Sequence, residues 1–110
     1  MIRIGVKARL YGLTPELHFA NMILLAILIK HGAVMTLSHG LDGVHSRASI
    51  HYAGGAEDLV FSSTLEMTVK QQIFKELSES VGQDFDVLFE SLGLPNEHFH
   101  IEWQPKDPYK

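Results

Sequence analysis

The chain contains no cysteine, so neither a disulfide nor a thiolate metal site is open to it. That absence leaves the compartment undecided. It also lacks an excess of positive charge: Lys and Arg number 9 against 13 Asp and Glu, a formal net charge of −4. Those cations are scattered rather than clustered, so no nucleic-acid partner is expected. No apolar run is long enough to span a bilayer. The longest, Phe19 to Ile29, has 11 residues and includes Asn21, whereas a transmembrane helix needs about 20. The opening Met-Ile-Arg-Ile-Gly-Val-Lys-Ala-Arg does not look like a signal peptide, and cytoplasmic synthesis without a leader is the expectation. Repeats, low-complexity tracts and linkers are also missing. With 110 residues, 45% of them hydrophobic, the chain fits one domain around one core.

The organisation is read from its punctuation. Thr14-Pro15-Glu16 combines a capping hydroxyl, a proline at the first helical position and an acid in the first turn. The apolar residues after it run almost all round the cylinder, as in a buried helix, and Gly32 after Lys30-His31 predicts its stop. Residues 33–37 read as a strand, and 38–55, rich in Gly, Ser, His and Asp, as a long functional loop. Residues 56–61 read as a second strand. Ser63-x-x-Glu66 resembles a capping box opening a helix to Val81, with Leu65, Val69, Ile73, Leu77 and Val81 as its core-facing stripe. Phe85, Val87 and Phe89 alternate as in a half-buried strand, residues 93–96 form a turn, and 98–103 form a last strand. The expected fold class is α+β: two main helices on one face of a small, mostly antiparallel sheet.

Seven histidines are the compositional excess, at positions 18, 31, 39, 45, 51, 98 and 100. Two segments carry a chemical pattern. In Ser49 to Asp58 a histidine, His51, precedes an aspartate, Asp58, with Gly54 and Gly55 between them to let the chain bend. An imidazole nitrogen and a carboxylate oxygen suit a divalent ion at about 2.0–2.2 Å. In Glu97 to Trp103, strand alternation puts Phe99, Ile101 and Trp103 on one side, and His98, His100 and Glu102 on the other. Either histidine is a candidate third ligand. Glu102 is equally readable as a carboxylate that orients a histidine or as a solvated strand residue. Two imidazoles and one carboxylate leave a fourth tetrahedral position for water, the composition of a catalytic zinc site.

The pattern Ser49-x-His51-x-x-Gly54-x-Ala56-x-Asp58, followed by Glu97-x-x-His100, resembles the zinc D-alanyl-D-alanine peptidases of the Hedgehog/DD-peptidase fold. Residues 37–46 and 96–103 are similar to segments of small phage and prophage members of that group. The resemblance covers nearly the whole chain, loosely at 1–35 and closely at 36–60 and 84–106. It implies one Zn2+ ion held by His51, Asp58 and His100, with Glu97 as general base. Ser49 would lie beside the substrate, Arg47 is the nearest candidate for holding its carboxylate, and His98 would touch substrate or support the oxyanion. The substrate class it implies is the peptidoglycan stem peptide, cut by a carboxypeptidase or endolysin-type enzyme acting as a monomer on the cell wall. A charged Glu57 inside a strand departs from the pattern. The alternative expectation is a metal-binding or virion-structural module that keeps the fold without turnover.

Overall fold

A computed structural model describes residues 2–4, 14–39 and 55–104. The elements in order are β1 (Ile2–Ile4), α1 (Pro15–His31), β2 (Met35–His39), β3 (Ala56–Phe61), α2 (Met67–Val81), β4 (Phe85–Glu90) and β5 (His98–Trp103). The strands form one sheet in the order β1-β2-β3-β5-β4. The pairs β2–β3, β3–β5 and β5–β4 are antiparallel, while β1 runs parallel to β2. A parallel pair needs a crossover, and α1 lies between these two strands in the chain. The α+β class and the two helices therefore hold, and β1 is a strand that sequence periodicity did not reveal.

Local chemistry accounts for the helix ends. The Thr14 hydroxyl accepts from the Leu17 amide at 3.2 Å, and Gly32 closes α1 in the left-handed region at φ 64°. The capping box expected at Ser63 and Glu66 does not form. Glu66 stands at the N-cap of α2 without a side-chain cap bond, and the Ser63 hydroxyl instead accepts from the Val34 amide at 3.1 Å. Ser63 ties the end of β3 to the start of β2, an interaction between distant segments that overrides the local capping option.

The core lies between the helices and one face of the sheet. It gathers Leu17, Leu24 and Leu28 from α1, Ile73 and Leu77 from α2, and Leu59, Phe99 and Ile101 from β3 and β5. Phe99 sits at its centre, edge-on to Phe61 and Phe89 with ring centroids 5.2 and 4.9 Å away. The α2 stripe is core, as its spacing predicts. The all-round burial expected of α1 is corrected: Phe19, Met22, Leu25 and Ile29 are exposed. Among the described residues, Leu17, Ala20, Leu24, Ile27 and Leu28 form the buried side of the helix, and its exposed side is apolar as well.

Candidate metal centre

Strand alternation sends Leu59 and Phe99 into the helix-covered core, so Asp58 and His100 must point to the opposite face. The β3–β5 register sets these two residues directly across from each other. Their side chains meet: His100 Nδ1 is 2.6 Å from Asp58 Oδ1, and both residues are 5% exposed. The other ring nitrogen, Nε2, is 2.8 Å from Glu102 Oε1. Glu102 is 3% exposed, so the reading of it as a solvated carboxylate is set aside. Its second oxygen accepts from the Gln104 side-chain amide. The result is a buried carboxylate–imidazole–carboxylate line across two strands. Burial alone would lower the His100 pKa; the hydrogen bonds that Asp58 and Glu102 accept from the ring outweigh it and hold the pKa above its ordinary value.

His98, the competing candidate, is engaged elsewhere. Its Nδ1 lies 2.7 Å from the Asn96 carbonyl, and its Nε2 lies 3.3 Å from Glu90 on β4. Between the two histidines of β5, the structure pairs His100 with Asp58.

Glu97 precedes β5 and bonds toward the helix side. Its Oε1 is 2.6 Å from Lys70 Nζ of α2, and its Oε2 accepts from the Gly93 amide at 2.9 Å. Lys70 also stands 5.4 Å from the centre of the Phe61 ring, on the core-facing side of β3. Burial raises the Glu97 pKa, but the Gly93 amide and the Lys70 ammonium together bring it below the usual carboxylate value. Sequence reasoning missed Lys70 as a partner, because on α2 it reads as an ordinary charge beside the apolar stripe.

Glu57 turns inward, on the same face of β3 as Leu59. It is fully buried and accepts from the Asn21 side-chain amide of α1 at 3.0 Å. Its Oε2 and the Asn21 Oδ1 have no hydrogen-bond partner. Burial pushes the Glu57 carboxyl up to about 7, partly opposed by the Asn21 bond. The charged Glu57 that departs from the family pattern is thus a core residue on the face opposite Asp58.

The donor set can be tested against a divalent ion. Asp58 and His100 supply one carboxylate oxygen and one imidazole nitrogen, the donor types that zinc prefers. Two atoms bound to the same tetrahedral zinc lie roughly 3.3 Å apart, so the 2.6 Å pair would need to part by less than an ångström. The donors fit. His51, Ser49 and Arg47 lie outside the described residues, as do Tyr52 and most of the loop. Among the described residues no group of three His, Asp or Glu side chains is arranged to hold a metal. A shallow groove of about 390 Å³, lined by Ser78, Phe85, Asp86, Val87, Leu88 and Glu102, runs along β4 and reaches the end of the line. No described helix is long and apolar enough to cross a membrane. Comparison with protein-family models, with curated proteins and with solved structures finds no match for this chain.

Proposed function

We propose that this chain is a zinc-dependent peptidase of the Hedgehog/DD-peptidase type that hydrolyses peptide bonds in peptidoglycan stem peptides. The observation that carries the reading is the Asp58–His100 pair, two buried donors of the expected types brought to 2.6 Å from segments 42 residues apart. Asp58 and His100 would hold the ion, with His51 as the third ligand. When bound, zinc lowers the pKa of a water ligand to about 7 and polarises a carbonyl. Asp58 and His100 bind from two neighbouring strands, rigid supports that keep the donors in place. Glu102 accepts at His100 Nε2 and orients the ring. Glu97 is the proposed base; its carboxylate is bonded to Lys70 on the helix side, so to act it must leave that ammonium and swing to the face that carries Asp58 and His100. Its pKa, held low by Gly93 and Lys70, makes it a weak base until it does so.

The Glu97–Lys70 bond also favours a second reading, a metal-binding or virion-structural module without turnover, in which Glu97 serves to join β5 to α2. One experiment separates the two. Purified protein is analysed for metal content, and cell-wall muropeptides are incubated with it and examined by mass spectrometry. The peptidase reading expects bound zinc and chelator-sensitive release of cleaved stem peptides, with Glu97→Gln keeping the metal and losing nearly all turnover. Zinc without cleavage would leave the module reading, and no zinc would remove both.

A further inference from the structure

A buried carboxylate is an unusual residue for a strand, because desolvating it is unfavourable unless every oxygen is matched. Both oxygens of Glu102 are matched, one by His100 Nε2 at 2.8 Å and the other by Gln104. Gln104 is itself fixed: its backbone amide donates to the Asp84 carbonyl at 2.7 Å, which fastens the end of β5 to the turn before β4. The Asp58–His100 pair therefore does not stand alone. It is one end of a line of four side chains, Asp58, His100, Glu102 and Gln104, whose far end is secured to the backbone of a neighbouring turn.

An imidazole ring has two orientations related by a flip, and two neutral tautomers. Asp58 alone does not choose between them, since either nitrogen could meet its carboxylate. A second carboxylate at Nε2 fixes the orientation. With Asp58 accepting at Nδ1 and Glu102 at Nε2, both nitrogens carry a proton in the metal-free ring. Were an ion to replace the Nδ1 proton, Glu102 would retain the one on Nε2. We propose that Glu102 is the positioning residue of this site: it keeps the Nε2 proton of His100 and so fixes Nδ1 as the nitrogen presented beside Asp58, with Gln104 holding Glu102 in register. The purpose rests on the zinc reading above; the geometry stands without it.

The test uses the full chain and two kinds of measurement. Nitrogen-15 correlation spectra of the His100 ring in the metal-free protein report its protonation pattern, and competition with a chromogenic chelator gives zinc affinity. Glu102→Gln, which keeps the shape, is expected to weaken zinc by 10–100-fold and to change the Nε2 signals while the fold, by circular dichroism, is unchanged. Gln104→Ala, which leaves Glu102 in place but frees one of its oxygens, is expected to give a smaller loss in the same direction. It also serves if Glu102→Gln fails to fold. Ring signals and zinc affinity matching those of the unaltered protein in both variants would overturn the assignment. If the unaltered protein binds no zinc, the zinc reading falls, while the ring spectra still decide whether Glu102 fixes His100.

Discussion

Asp58 and His100 face each other across the β3–β5 ladder with 2.6 Å between carboxylate and imidazole. Both are buried, and His100 also meets Glu102, so removing the imidazole takes a shared positive charge from between two buried carboxylates. His100→Leu would strand the carboxylates of Asp58 and Glu102 together, and a loss of about 3–5 kcal/mol is expected. Urea unfolding in the presence of a chelator measures it. The double variant Asp58→Leu/His100→Leu should lose clearly less than the sum of the two single losses. Simple additivity would show that the pair does not act as a unit.

Glu57 gives a pH prediction with a definite sign. Its carboxyl titrates near 4.5 in the unfolded chain and near 7 in the folded one. Between those values the folded protein keeps a proton that the unfolded chain has lost, so stability falls as pH rises from 4.5 to 7. The full effect is on the order of 3 kcal/mol. His100, whose pKa is raised from 6.5, acts in the same direction: its contribution is complete below 6.5 and is lost as pH climbs through the folded value. Glu57→Gln isolates the first effect, since a neutral amide can still accept from Asn21. Denaturation of the metal-free variant should show it more stable than the parent at pH 8 and equal to it near pH 4. A variant destabilised at pH 8 would contradict the burial argument.

Glu97, bonded to Lys70, gives a pH effect of the opposite sign. Glu97 has a lowered pKa, so its bonds stabilise the fold above 4.5, and that stability is lost as pH falls through the folded value. Lys70→Met should cost about 1–3 kcal/mol at pH 7 and much less at pH 3. Carbon-13 titration of the Glu97 carboxyl in the same variant should move its pKa upward. If the peptidase reading is right, freeing Glu97 also makes it a stronger base, which the pH profile of stem-peptide cleavage would record as an upward shift of its acidic limb.

The cap of α1 offers a local check. Thr14→Ala removes the acceptor for the Leu17 amide and should cost about 1 kcal/mol. A melting temperature lower by about 4 °C is expected for a chain of this size. Thr14→Asp should retain most of the stability.

Much of the frame is legible without coordinates. Thr14-Pro15 and Gly32 mark both ends of α1, because caps act within one turn of the chain. The bounds of β3 and β5 and the apolar stripe of α2 follow from periodicity. The false capping box at Ser63 shows the limit of that logic: a hydroxyl takes the nearest good partner in space, and here Val34 is that partner. The exposed side of α1 escaped for a similar reason. Composition says that a helix is apolar, and only packing says how many of its sides are covered.

The sequence by itself determined which residues share a face of each strand, since alternation is a property of the extended backbone. It put His98, His100 and Glu102 together on β5, with Phe99 and Ile101 on the reverse. Only the tertiary structure decided that His100 rather than His98 meets Asp58, that Glu102 is buried against it, and that Glu97 bonds to Lys70. Those outcomes depend on the register between strands distant in sequence and on how helices lie across the sheet. Both are set by the packing of the whole core, which no short stretch of the chain encodes.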